Sequence, residues 1–142
     1  MAGPVKESIS IAAPVARVID VVSDLGNTDR WANEAKGAEI LEHGADGRPS
    51  KIRVTLGAVG FSTTADYDVT YTDSSVSIKG VDGKLIENST IDYEAVESGD
   101  GTELTMTSVM DVTVPVPQWG LERAMSRSAR KNLQSVKKDA EA

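Results

Sequence analysis

The middle of the chain, residues 37–113, is a series of short runs rich in Val, Ile, Thr and Tyr, separated by clusters of Gly, Asp, Asn and Ser. β-Branched and aromatic residues favour strands, whereas Gly, Asp and Asn favour tight turns. The pattern is typical of antiparallel strands joined by hairpins. It predicts six strands, at residues 38–43, 51–56, 61–71, 76–79, 84–96 and 102–113. The fold of this chain is therefore built on an antiparallel sheet.

The segment before these runs predicts one more strand and two short helices. Residues 5–11 alternate between apolar and polar side chains, although Glu7 interrupts the apolar set. A proline follows, which suits the first turn of a helix, and apolar residues come after it at helical spacing, so a helix is predicted over 14–23. A second short helix or irregular turn, carrying Trp31, is predicted over 28–34.

The end of the chain predicts one long helix. Its apolar residues recur at spacings of three and four, at Leu121, Met125, Ala129, Leu133 and Val136. The predicted order is β-α-α, then six strands, then α. With 142 residues, no internal repeat and no linker, we expect a single α+β domain over residues 1–142.

Composition excludes several classes of protein. The chain has no cysteine, so it has no disulfide, no thiolate zinc site and no cysteine nucleophile. Its net charge of -7 opposes general attraction to nucleic acid or anionic membranes. No apolar run approaches the roughly 20 residues that span a bilayer, and the first six residues are too polar to open a secretory signal. We expect a cytoplasmic protein with no nucleic acid partner and no integral membrane association.

The charges are unevenly distributed. Residues 118–142 carry a net charge of +3, whereas the remainder carries -10. A basic helix across an acidic sheet is attracted to it. The helix charges are interpreted either as a solvated face or as a basic surface for a partner or a lipid headgroup.

Alternation predicts which strand residues face the interior. In 61–71 the apolar set separates cleanly from Ser, Thr and Asp on the other side. In 102–113 the separation is similar, with Val109 as the only exception. In 84–96, placing Ile91 and Tyr93 inward also places Glu87, Ser89 and Ala95 inward. In 51–56, Arg53 faces outward. The remaining inward residues are Ile52, Val54, Leu56, Phe61, Thr63, Ala65, Tyr67, Val69, Tyr71, Leu104, Met106, Ser108, Met110 and Val112.

Few residues suggest catalysis. The one histidine, His43, lies at a strand end beside a turn, where we expect it to be exposed. This disfavours a hydrolytic triad or a histidine metal site. No phosphate-binding loop, dinucleotide fingerprint or calcium loop is present, and residues 80–83 are predicted to form a turn. We expect no cofactor and no metal.

Particular segments, together with the element order, resemble a known superfamily. They are the ISIAAP of residues 9–14, Val18 to Val22, Ser23-Asp24-Leu25 and Trp31. The chain resembles the START-like proteins, also called SRPBCC or helix-grip proteins. The VTVPVP of residues 112–117, which leads into the last helix, is similar to the actinobacterial polyketide cyclase/dehydrase branch. The resemblance implies a curved seven-stranded antiparallel sheet wrapped around the long C-terminal helix, with a cavity between them.

This implied cavity is an apolar chamber with sparse polar groups, which is the usual composition of a small-molecule site. The alternative is a filled core in which the polar atoms satisfy one another or a buried water. Trp31 and Trp119 either line the cavity mouth or pack against the sheet. The predicted ligand-binding residues are Trp31, Val54, Leu56, Phe61, Thr63, Tyr67, Tyr71, Glu87, Ser89, Ile91, Tyr93, Met106, Ser108, Met110, Trp119, Met125, Ser128 and Asn132.

The resemblance leaves three functions open. The first is binding, as a carrier or sensor, of a hydrophobic molecule such as a lipid, polyketide or quinone-like compound. The second is a polyketide aromatase/cyclase or dehydratase, in which Glu87 is the acid/base and Tyr67 or Tyr93 polarises a ketone. Against it, Glu87 at the rim would be solvated or paired with a lysine. The arginine that some cyclases place inside the cavity also has no clear counterpart, since Arg53 faces outward. The third is an interaction module that uses the basic helix. The exposed edges of the sheet can pair, but nothing demands it, so we expect a monomer or weak homodimer.

Overall fold

The computed structural model describes residues 2–24, 35–58, 61–83, 86–112 and 117–142. Seven strands form one antiparallel sheet in the order β1-β7-β6-β5-β4-β3-β2. The strands are β1 (Ala2–Ile11), β2 (Ala35–His43), β3 (Pro49–Ala58), β4 (Phe61–Tyr71), β5 (Ser75–Gly83), β6 (Ile86–Ser98) and β7 (Gly101–Val112). The seven-stranded α+β architecture predicted from the sequence is confirmed.

Two helices are described, α1 (Val15–Ser23) and α2 (Gln118–Ala140). The first begins one residue later than predicted, because Pro14 is its N-cap and has extended backbone angles. The predicted second helix over 28–34 falls among residues that the structure does not describe. Neither described helix has the length and hydropathy needed to cross a bilayer.

Both helices pack on one face of the sheet. Helix α2 lies along β1 and contacts β7 and α1, while α1 also contacts β5 and β6. The side chains most deeply enclosed between these layers come from both helices and from four strands. They include Val18, Val22, Ile52, Val76, Tyr93, Leu104, Leu133 and Val136.

The residue that interrupts the alternation in β1 has a structural explanation. Glu7 is on the face of β1 that α2 covers, and its side chain is 26% exposed. One carboxylate oxygen accepts a hydrogen bond from Arg130 Nε at 3.2 Å, and the other accepts one from Ser126 Oγ at 3.0 Å. Lys137 Nζ also donates to the carbonyl of Ser10 at 2.9 Å. Polar groups therefore fix α2 along β1.

One predicted turn is wrong. Residues 80–83 belong to β5 and pair with β4, in a ladder that includes Asp66 opposite Asp82 and Tyr67 opposite Gly80. The register shifts by one residue there, which is a β-bulge. Two glycines within four residues imitate a turn in sequence, but their backbone groups take part in the sheet ladder.

Candidate functional site

The inner face of the sheet has the predicted alternation. Along β4, Ala65, Tyr67 and Val69 are buried, whereas Thr64 and Thr70 are exposed. On β3, β6 and β7 the buried set is equally regular, and Arg53 faces outward as expected. The inner residues there include Ile52, Val54, Ser89, Tyr93, Ala95, Thr102, Leu104, Met106 and Ser108.

A buried hydrogen bond joins the inner face to α2. Tyr93 on β6 is 1% exposed, and its hydroxyl donates to Asn132 Oδ1 at 2.9 Å. Asn132 lies on the inward side of α2 and is 3% exposed. Burial raises the pKa of the Tyr93 phenol, and the hydrogen bond to Asn132 opposes this in part. The phenol therefore stays protonated and acts as a donor.

A second buried pair crosses a strand. Tyr67 on β4 donates its hydroxyl hydrogen to Ser89 Oγ on β6 at 3.3 Å, although β5 lies between those strands. Opposite Tyr67 on β5 is Gly80, where an added Cβ would lie 3.1 Å from the Ser89 carbonyl oxygen. Because Gly80 has no side chain, the Tyr67 side chain can pass over β5 and reach Ser89. Burial raises the pKa of Tyr67, so this phenol is also neutral.

A third polar group, the hydroxyl of Ser108, lies between two clusters of buried apolar side chains. Among the described residues, the buried apolar side chains form one large cluster and one small cluster, the latter made of Leu121 and Met125 with Val5 and Met110. Ser108 is on β7 between Met106, which belongs to the large cluster, and Met110. It is 8% exposed, and its hydroxyl has no hydrogen-bond partner in the described part of the chain.

Other predicted site residues are less enclosed. Ile91, Met110 and Ser128 are partly buried. Tyr71 is half-buried, its hydroxyl donates to the Pro49 carbonyl at 2.6 Å, and the Arg48 guanidinium lies 4.0 Å from its ring centre. Burial raises the pKa of Tyr71 to about 12. Its hydroxyl is thus engaged near the start of β3.

Trp119 differs most from expectation. It is 68% exposed, so the interpretation that it packs against the sheet is wrong. The Arg123 guanidinium lies 5.5 Å from its ring centre, one helical turn away. The first turn of α2 therefore presents this indole to solvent. Its role as a ligand contact stays a prediction.

Five of the predicted ligand-binding residues have side chains outside the described part of the structure. Trp31 is outside the described residues, and so are the side chains of Leu56, Phe61, Thr63 and Glu87. The backbone at Glu87 lies in a β-bulge, since the β6–β7 register shifts between Ile86 and Asn88. Strict alternation does not extend across a bulge. The inward assignment of Glu87 stays a prediction.

Sequence reasoning named the members of the buried pairs but missed the pairing itself. Tyr93 and Asn132 are 39 residues apart, and no local pattern joins them. The Glu7–Arg130 contact was missed too, although a carboxylate within an apolar alternation signals a charged partner on the covering element.

Comparisons with known proteins agree on the fold. The family model described as polyketide cyclase / dehydrase and lipid transport matches residues 3–141. A START superfamily protein from Mycobacterium smegmatis has a TM-score of 0.84 at 24% identity, over 96% of each chain. The Zhui aromatase/cyclase from Streptomyces sp. R1128 has a TM-score of 0.82 at 17% identity, over 96% of this chain and 92% of its own.

A protein from Thermus thermophilus has a TM-score of 0.73 at 18% identity, over 96% of this chain and 93% of its own. A search of curated proteins found no significant match. Similarities at these identities establish a shared helix-grip fold and do not establish a shared activity.

Proposed function

Since the chain belongs to the polyketide cyclase / dehydrase and lipid transport family, we propose that it binds a hydrophobic small molecule, such as a lipid, polyketide or quinone-like compound. The ligand lies between the inner face of the sheet and α2. In this function the protein acts as a carrier or a sensor.

The observation that carries the proposal is the position of Ser108. It interrupts an apolar strand face where the described packing divides into two clusters, and its hydroxyl has no partner among the described groups. The residue is 8% exposed, and its oxygen is not among the fully enclosed polar atoms that lack a partner in the described part of the chain, so it keeps some accessible surface. A bound ligand or water can therefore reach this hydroxyl and accept its hydrogen bond.

The surrounding groups suit a ligand with a large apolar surface and a few neutral polar atoms. Met106 and Met125 are buried, and flexible thioethers adapt to different ligand shapes. The phenols of Tyr67 and Tyr93 have raised pKa values and so carry no charge near neutral pH. Burial of apolar ligand surface contributes about 25 cal/mol per Å² before ordering costs.

The test is native mass spectrometry of the purified protein, with extraction and identification of any bound molecule. The blocking variant is Ser108→Trp, and Ser108→Leu is a smaller replacement if tryptophan prevents folding. Thr107→Trp is the matched control, because residue 107 is on the opposite face of the same strand. We expect a stoichiometric hydrophobic passenger in the parent and in Thr107→Trp, and its loss in the Ser108 variants.

A different result would overturn the proposal. The protein would be isolated empty and would take up no fatty acid, quinone or polyketide from a panel of these compounds. Alternatively, the Ser108 and Thr107 variants would keep equal amounts of the same passenger. Either outcome means that the interior near Ser108 is a filled core.

A second candidate function is polyketide cyclisation or dehydration at the same site. It is supported by the neutral phenol of Tyr67, because this phenol, on exchanging its hydrogen bond to Ser89 Oγ for one to a ketone, would favour the enol. Glu87 is the proposed acid/base. If the function is catalytic, Glu87→Gln abolishes turnover of a poly-β-keto substrate while binding persists. If it is a carrier or sensor, Glu87→Gln retains the passenger and no turnover is seen in either protein.

A further inference from the structure

The solvent-facing side of α2 carries a continuous row of cations. Their spacing places them within an arc of about 100° around the helix axis, given 3.6 residues per turn. All are exposed, and Gln134 is the other exposed polar residue of the helix within the arc. The exposed C-cap residue Glu141 follows in the same arc, where its carboxylate pairs with Lys137. We call this row the basic stripe; it consists of Arg123, Arg127, Arg130, Lys131 and Lys138.

Most of this charge is not neutralised within the molecule. Arg130 pairs with Glu7, and Arg123 lies over the Trp119 ring. Arg127, Lys131 and Lys138 make no ion pair with any described residue. The acidic residues of the helix, Glu122 and Asp139, are on other sides of it by the same spacing. The stripe therefore presents a positive surface to a partner.

An exposed indole lies at the N-terminal end of the basic stripe. Trp119 and Val96 are the large hydrophobic residues exposed in the described part of the chain, and Trp119 is the more exposed at 68%. Tryptophan is favoured at the boundary between lipid headgroups and acyl chains because its ring is apolar and its N–H is polar. A basic helix face with such a residue has the chemistry of an interfacial helix.

We propose that the basic stripe and Trp119 dock the protein on an anionic lipid membrane surface. The helix is about 35 Å long, so its cations lie in a row that matches a laterally uniform negative surface. An acidic protein would attract the same cations, but it gives no reason for an exposed indole beside them. The docking does not depend on a ligand in the interior, so the two proposals can fail separately.

The net charge of -7 does not oppose this docking at physiological salt. Exposed acidic side chains such as Asp68, Glu94 and Glu103 lie on the outer face of the sheet, opposite α2. Helix α2 alone is about 10 Å across, which exceeds the Debye length of about 8 Å. The acidic face is therefore screened from a membrane that touches the helix. Local charge, and not net charge, decides the contact.

The test is co-sedimentation of the full chain with vesicles of phosphatidylcholine alone and with vesicles that also contain phosphatidylglycerol. We expect binding only to the anionic vesicles, with loss at high salt. Each Lys or Arg near such a surface is worth about fivefold in affinity. The variant Arg127→Glu/Lys131→Glu should therefore weaken binding by at least about twentyfold. Trp119→Ala should weaken it with no change in charge.

The matched control is Lys6→Glu/Lys79→Glu, which changes net charge equally. Both lysines are exposed on the outer face of the sheet, and neither makes an ion pair with a described residue. We expect this control to bind like the parent. Equal weakening in the two double variants, or no binding to anionic vesicles, would overturn the proposal. Binding to soluble polyglutamate but not to vesicles would also overturn it, in favour of an acidic protein partner.

Discussion

The buried polar residues of the interior differ in whether the fold already satisfies their hydrogen bonds. Tyr93 is almost completely enclosed, yet its hydroxyl hydrogen bonds to Asn132 on α2. A buried polar group without such a bond is costly, so the pair also specifies how α2 sits against β6. Ser108, in contrast, has no partner among the described residues. The Tyr93 hydroxyl is thus used by the fold, whereas the Ser108 hydroxyl is available to the proposed ligand.

Removal of the Tyr93 hydroxyl should therefore destabilise the protein. Tyr93→Phe leaves Asn132 Oδ1 buried without that donor, which costs about 1–3 kcal/mol in the free energy of unfolding. Replacement of both partners, in Tyr93→Phe/Asn132→Leu, should cost less than the sum of the single changes. Urea unfolding of the four proteins measures this coupling. Additive single costs would show that the two residues do not act as a pair.

At the scale of the elements, alternation predicted the strands and their inner faces well. It works because one face of each strand is buried, so a one-residue slip would expose every apolar side chain. It failed where the ladder itself is irregular, as in the bulge near Gly80. It also left Glu7 unexplained, because its partner Arg130 lies on an element 123 residues away. The side-chain pairs of the candidate site depend on such distant contacts.

The close approach of β7 to β1 gives a prediction about a single glycine. A Cβ at Gly101 would collide with the carbonyl oxygen of Ile11, which is backbone and cannot move aside alone. Next to it, the Thr102 hydroxyl donates to the Ala13 carbonyl at 2.7 Å and fixes the same junction. Gly101→Ala should therefore lower the free energy of unfolding by about 1–3 kcal/mol.

Gly120→Ala is the matched control for that change. An added Cβ at Gly120 meets nothing within 4 Å, and the residue lies in the first turns of α2. Alanine favours a helix over glycine by up to about 1 kcal/mol, so this variant should be equal to the parent or more stable. Thermal unfolding of both variants checks the pair. A Gly101→Ala protein as stable as the parent would show that the β1–β7 junction can relax.

At the scale of the whole molecule, the fold keeps its tyrosines neutral to a higher pH than the unfolded chain does. All three tyrosines of the chain have raised pKa values, and burial is the largest cause for each. Tyr67 and Tyr93 are enclosed on separate strands, whereas Tyr71 is half-buried and more strongly screened by solvent. The fold therefore opposes tyrosine ionisation on two strands, β4 and β6.

The raised pKa values of the buried tyrosines predict a loss of stability at alkaline pH. An unfolded tyrosine loses its proton near pH 10, whereas folded Tyr67 and Tyr93 keep theirs, so the unfolded chain binds fewer protons above that pH. The stabilisation is complete below about pH 10 and is lost as pH rises toward the folded pKa, by up to about 1.4 kcal/mol per pH unit for each enclosed tyrosine. Urea unfolding at a series of alkaline pH values measures the slope. Tyr93→Phe should make the slope of unfolding free energy against pH shallower by the contribution of one tyrosine. An unchanged slope would mean that Tyr93 ionises equally in the folded and unfolded states.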